Sequence, residues 1–227
     1  LQYKYRYVLK IPVPPTAAGS FGTSVHLTLQ RFYESAVKKE KPAKTDLLAF
    51  FEKAWLPIGY ETKQYEEKMI KRGIDLLNEF YDKFYDPKII PLFLEQVFKI
   101  KLTPTLKFGG KIDRIDKTPD GKLEIIDYKT GKRPTDKQIK ENLQMTVYAL
   151  AATDPGIYNR KSEEVILSFY FLGTQEKISS TRTNEQLIDA KKELIEKAEE
   201  IQTSNFIPKV GPWCDFCDFK LICEAWQ

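Results

Sequence analysis

The chain has 227 residues, 42% of them hydrophobic and 30% charged, which describes a globular protein with enough apolar material for a sizeable core. Lys and Arg outweigh Asp and Glu to a net charge of +4, compatible with a nucleic-acid partner without requiring one. No apolar run reaches membrane-spanning length, no signal peptide is visible, and all three cysteines lie at Cys214 or beyond, so neither a membrane partner nor a disulfide framework is expected and a cytoplasmic location is the default.

Leu1 to Ile11 is basic and aromatic, and the alternation of Tyr3, Tyr5 and Tyr7 reads locally as a strand. Pro12, Pro14 and Pro15 then break any regular element. The spacing of Val25, Leu29, Phe32, Tyr33 and Ala36 predicts a helix over Thr16–Lys39, with His26, the only histidine, at the edge of its apolar face. After a charged connector over 38–46, two more helices are predicted at Asp46–Trp55 and Glu61–Tyr85, the second closed by Asp86-Pro87; both read as scaffold. Pro91–Ile100 predicts the first strand, carrying Glu95.

The hairpin that follows, over 104–130, concentrates the chemistry. Asp127 and Lys129 are two apart, so on a strand they share a face, and Asp113 arrives from the neighbouring strand. The loop Thr118-Pro119-Asp120-Gly121-Lys122 suits a three-residue turn with Gly121 left-handed, which pairs Thr118 with Lys122 and sets Asp113 opposite Asp127. A two-residue loop would send the two carboxylates to opposite faces. Two carboxylates and an ammonium on rigid strands can hold a divalent metal and orient a water against a phosphodiester.

Pro134–Ala152 is predicted as one helix with Ile139, Leu143, Val147, Leu150 and Ala151 as its core stripe; Gln144 and Tyr148, one turn apart, share a flank. A second hairpin is expected from Glu164–Leu172 and Lys177–Arg182, turning at Gly173 and Thr174. A helix capped by Thr183-Asn184-Glu185 then runs to about Thr203. At the end of the chain Cys214, Cys217 and Cys223 are spaced C-x₂-C-x₅-C, three thiolates of an incomplete four-ligand site for zinc or an iron–sulfur cluster.

Gly110-Lys111-Ile112-Asp113-Arg114-Ile115-Asp116, then Ile125-Ile126-Asp127-Tyr128-Lys129-Thr130-Gly131, then Gln144 and Tyr148, together with Gly22-Thr23-Ser24-Val25-His26 and the terminal cysteines, resemble the PD-(D/E)XK nuclease superfamily in its RecB-like branch. That branch includes nuclease domains attached to UvrD-like helicases and nucleases of CRISPR spacer acquisition. The resemblance spans nearly the whole chain in the expected order. It implies an α/β fold, a restriction-endonuclease-like core with a central mixed sheet flanked by helices, plus an N-terminal helical region in which the Tyr-rich start is helical. A single domain over 1–227 is expected, divided into a mostly helical part with the His motif (1–90), the catalytic sheet and helix (91–183), and the C-terminal helix with the Cys cluster (184–227).

The resemblance implies a deoxyribonuclease, expected to be an exonuclease acting on single-stranded DNA or DNA ends in repair, recombination or defence. His26, Asp113, Asp127 and the Ile126 carbonyl would hold Mg²⁺ or Mn²⁺, and Lys129 would orient the attacking water or stabilise the transition state. Gln144 and Tyr148 would steady the site or touch DNA, Tyr148 as an exposed ring stacking on bases. Glu95 has two roles open to it, a salt bridge to Arg114 or a part in catalysis. Cys214, Cys217 and Cys223 match the last three ligands of a 4Fe–4S cluster, whose fourth cysteine is expected just before Leu1. The chain is accordingly expected to be cut from a longer helicase-type protein, a helicase domain standing in the same or a partner chain, with a freestanding nuclease as the alternative. Two rival readings are a catalytically inactive nuclease-fold module that guides DNA or assembles a complex, and a zinc-stapled protein-interaction domain.

Overall fold

The computed structural model describes residues 1–38 and 40–226; Lys39, the last residue of the first predicted helix, lies outside them. The chain divides into a larger unit, Thr16–Ile195, and a smaller one formed by Leu1–Pro15 with Glu196–Gln227.

In the larger unit, α1 (Ala17–Val37) starts where the Thr16 hydroxyl accepts the Gly19 N–H, and it buries Phe21, Val25, Leu29, Phe32, Tyr33 and Ala36. Helices α2 (Lys44–Ala54) and α3 (Lys63–Phe84) follow, the latter capped by the Thr62 hydroxyl. The five strands are β1 (Phe93–Lys101), β2 (Lys107–Lys117), β3 (Leu123–Lys129), β4 (Val165–Phe171) and β5 (Glu176–Ser180), paired in sequence order. Pairings β1–β2, β2–β3 and β4–β5 are antiparallel and β3–β4 is parallel, so the sheet is mixed. Between β3 and β4 the chain crosses through α4 (Asp136–Lys140) and α5 (Leu143–Thr153).

Helices cover both faces of this sheet. Ile125 and Leu167 face one core, where Phe98, Ile112, Met145, Ala151 and Leu187 join them. Ile126, Tyr128 and Tyr170 face the other, against Phe32, Tyr33, Leu77 and Phe80 of α1 and α3. This is the restriction-endonuclease-like α/β arrangement that the resemblance implies. Among the described residues no helix is long and apolar enough to cross a membrane.

The β2–β3 turn has the three-residue form. Thr118 N–H donates to the Lys122 carbonyl at 2.9 Å, Gly121 N–H donates to the Thr118 carbonyl at 2.9 Å, and Gly121 sits at φ +85°. The ladder runs from Lys117↔Leu123 to Arg114↔Ile126, and one further step sets Asp113 across from Asp127.

Two elements differ from expectation. The helix predicted over Pro134–Ala152 is two helices, because the Asn142 side chain accepts the Met145 N–H and starts α5 afresh. That new phase buries Met145, Val147, Tyr148, Ala149, Ala151 and Ala152 and leaves Leu143 exposed, correcting the predicted stripe. The strand alternation of β1 and β2 also breaks. Phe98 and Ile112 pack in the first core, whereas Leu94 and Arg114 lie with the second, Arg114 stacked 3.9 Å over the Tyr33 ring. Between them Glu95 takes φ +49°, a left-handed conformation that costs a non-glycine residue about 1 kcal/mol or more. The Arg114 guanidinium is buried but matched by Asp116, donating at 2.8 and 2.6 Å to its two carboxylate oxygens.

In the smaller unit Lys4–Val8 forms a π-helical turn, so the alternating tyrosines are not a strand. Tyr5 is buried with its ring 5.5 Å from that of Phe219 and its hydroxyl donating to the Ile222 carbonyl at 3.2 Å, while Arg6 pairs with Asp218 at 2.6 Å.

Gly121→Ala should lower the stability of the chain by about 1 kcal/mol, because an alanine is strained at this φ, and Gly121→Asn should cost less. Urea unfolding of the three proteins reads the difference.

Candidate active site

The site assembles where the bend in β1 and β2 meets α1 and α5. His26, one turn along α1 from Gly22, flanks the buried stripe of that helix and is about a third exposed. Its Nδ1 lies 3.4 Å from Asp113 Oδ2, and the same oxygen accepts the Tyr128 N–H at 2.9 Å. Glu95 completes the group: one ligand atom each from His26, Glu95 and Asp113 lie within 4.8 Å of one another. An imidazole and two carboxylates converging in this way are a donor set for a divalent cation.

Asp127 stands beside this triad, buried on β3. Its Oδ1 accepts from the Tyr148 hydroxyl at 3.0 Å and from Gln144 Nε2 at 2.9 Å, and Lys129 Nζ approaches Oδ2 at 2.6 Å. Lys129 also donates to Gln144 Oε1 at 2.8 Å, so Gln144 binds both members of the pair. The Tyr148 hydroxyl has the Lys111 carbonyl at 3.0 Å as a second acceptor, and its single hydrogen serves one of the two at a time. Lys129 remains one-third exposed and Asp127 nearly sealed, which leaves the ammonium reachable from solvent while its carboxylate is fixed.

The electrostatics follow from this crowding. Burial first, and then the nearby Asp113 charge, push the Asp127 carboxyl up, against the opposing pull of Lys129. Burial alone would lower His26, but the Asp113 hydrogen bond and the charges of Asp113, Asp127 and Glu95 outweigh it and hold the imidazole above 6.5.

The structure thus brings together His26, Glu95 and Asp113 as one group and Asp127, Lys129, Gln144 and Tyr148 as another, with Ile126 preceding Asp127 and its side chain in the core beneath α1 and α3. Two expectations change. Glu95 does not pair with Arg114, which is taken by Asp116; its carboxylate meets the Lys111 ammonium instead. Tyr148 is not an exposed ring: it is 4% exposed and edge-on to Phe98, so it holds Asp127 and has no free face for a base. Lys111 was missed, although its place two residues before Asp113 put it on the same strand face in the sequence. The three cysteines belong to the smaller unit, where they line a cavity of about 600 Å³ together with Leu1, Gln2 and Trp213.

A family model described as the PD-(D/E)XK nuclease superfamily matches residues 1–224. The chain is 46% identical over 44 residues to one subunit of an ATP-dependent helicase/deoxyribonuclease from Streptococcus mutans serotype c, a stretch covering 19% of this chain and 4% of that protein. Among solved structures, a crystal structure of SSO0001 superposes with a TM-score of 0.41 at 17% identity, covering 91% of this chain and 85% of that one.

Without metal, stability should fall as pH rises. Asp127 and His26 both hold a proton more tightly folded than unfolded, so each favours the folded state at low pH. That contribution is lost for Asp127 above the ordinary carboxylate value of 3.8, and for His26 as pH climbs from 6.5 through its raised folded value. Urea unfolding in EDTA across about pH 5 to 9 should show the second fall in the wild type and lack it in His26→Gln.

Proposed function

The chain belongs to the PD-(D/E)XK nuclease superfamily, and from that premise we propose that it is a divalent-metal-dependent deoxyribonuclease acting on single-stranded DNA or DNA ends. The observation that carries this reading is the convergence of His26, Glu95 and Asp113 within 4.8 Å, next to a lysine already fixed by a buried aspartate.

His26, Glu95 and Asp113 would hold Mg²⁺ or Mn²⁺, with Asp127 and the Ile126 carbonyl adjacent. When bound, such an ion supplies charge to the scissile phosphate and acidity to a water. Lys129 orients that water, or neutralises charge gathering on the phosphoryl oxygens, from a position held by Asp127 Oδ2 and Gln144 Oε1. Tyr148 and Gln144 lock the Asp127 carboxylate, so that little reorganisation is left to the reaction. Lys111 balances the Glu95 charge. An arginine at 129 would be a planar fork where the site holds a point charge, and should substitute poorly.

The likeness to part of a helicase/deoxyribonuclease supports a helicase as the partner, in the same chain or another, and with it a role in repair, recombination or defence. For the smaller unit we propose that Cys214, Cys217 and Cys223 are three ligands of a 4Fe–4S cluster, supported by their lining one cavity. Tying Leu1–Pro15 to the C-terminal turns would be its task.

End-labelled single-stranded and duplex DNA, incubated with Mn²⁺, Mg²⁺ or EDTA, tests the enzyme. Cleavage should need the metal and fall by about 10²–10³-fold or more in Lys129→Ala, with the fold retained by circular dichroism. Metal-dependent cutting that survives in that variant would refute the assignment of Lys129. For the cluster, a version extended by several N-terminal residues and purified without oxygen should carry iron and acid-labile sulfide, both reduced in Cys217→Ser; a colourless, iron-free extended protein would reject it.

A further inference from the structure

Next to Lys129 the larger unit opens a cavity of about 700 Å³ that the mechanism above leaves unused. Thr130 and Gly131, continuing from β3, form one wall, and the first turns of α1 form another. The two walls meet closely, since a Cβ at Gly22 would lie 3.4 Å from Thr130 Oγ1. Ala18, on the cavity, and His26, in the triad, are on the same helix and separated by about 12 Å of its axis. The cavity therefore lies along α1 from the triad.

Its lining is selective. Phe21 and Met69 make a buried apolar floor, and Tyr65 stands 40% exposed at the side. Arg72, Lys132 and Arg133 supply three cations, and among the described residues no carboxylate lines the space. Arg133 is neutralised by Asp136 and Glu176. Arg72 is not: its guanidinium lies 5.3 Å over the Phe21 ring and donates to the Thr130 carbonyl at 3.5 Å, with no carboxylate partner among the described residues. Lys132 is exposed and makes no ion pair among the described residues. The first turn of α1 carries no acidic residue, so its amide end adds to the positive field.

An apolar floor, one exposed aromatic face and two cations that no carboxylate among the described residues neutralises suit a ligand that alternates flat rings with negative charges. A space of this volume is the size of a small-molecule site, on the order of one or two nucleotides. We propose that it seats the single-stranded segment of DNA on one side of the scissile bond. Arg72 and Lys132 take its phosphates and Tyr65 offers its ring to a base. The proposal rests on the nuclease reading for its substrate, but the contacts can be tested without cleavage.

The experiment is fluorescence anisotropy of a labelled oligothymidylate in EDTA, over a series of salt concentrations. Each lost phosphate contact should reduce the slope of log affinity against log salt by about 0.7, so Arg72→Gln with Lys132→Gln should reduce it by about 1.4. Lys132→Gln alone, at an exposed position, should reduce it by about 0.7 and guards against a folding artefact in the double variant. Tyr65→Ala should weaken binding about tenfold and leave the slope unchanged. Lys129→Ala, silent in cleavage, should still bind single strands through the cavity, and adding the Arg72 and Lys132 changes to it should cost the same slope as in the wild type. Wild-type affinity and slope in the double variant, or no single-strand binding by the wild type, would overturn the proposal. Binding that follows these variants in a protein that cuts nothing with any metal would uphold the cavity while removing the nuclease reading.

Discussion

The Thr118–Lys122 hydrogen bond closing the β2–β3 turn sets the parity on which the site depends. Side chains on a strand alternate, so the loop between two strands decides which residues face each other. With three residues in the loop and Gly121 left-handed, Asp113 and Asp127 stand opposite on neighbouring strands, close enough for one charge to raise the pKa of the other. His26, Glu95 and Lys129 are then placed against these two carboxylates.

Holding such charges together works against folding, and the structure answers with specific counter-groups. Lys129 and Gln144 attend Asp127, Lys111 attends Glu95, and the His26 imidazole leans on Asp113. The Arg114–Asp116 pair is different in kind: both partners are buried, hydrogen-bonded and matched, and face the core beneath α1. Glu95 adds a backbone cost, its positive φ turning the strand so that adjacent parts of β1 face different cores. Residues in sparsely populated conformations persist where the surroundings over-determine them, and here those surroundings are a paired strand on one side and a charge cluster on the other.

What the sequence revealed divides along the range of the forces involved. The Pro-Asp-Gly turn, the Thr16 and Thr183 caps and the apolar faces of α1 and α3 are local or periodic signals, and the structure follows them closely. The misreadings come from features with no local signature. Asn142 is a good cap as well as an acceptable mid-helix residue, and only the packing of α5 shows that it restarts the helix; the burial of Tyr148 follows from that shift. The side of the sheet taken by Glu95 depends on a left-handed residue in a strand, which alternation cannot foresee. The Tyr-rich start alternates with a strand-like period yet winds as a π-helical turn around Tyr5.

The parallel pairing of β3 with β4 has an architectural consequence. Parallel neighbours cannot be joined by a tight turn; the chain must travel back along the sheet before it re-enters, and here it does so through α4 and α5. That return path lays α5 over the sheet face bearing Asp127, with Gln144 and Tyr148 on it. The connector is thus a component with a minimum length. Shortening it to a hairpin would reverse the strand order's polarity and delete both supporting side chains in one event, whereas the β4–β5 turn could vary in length without that penalty. Connectivity, as much as residue identity, constrains how such a domain can be trimmed or grafted.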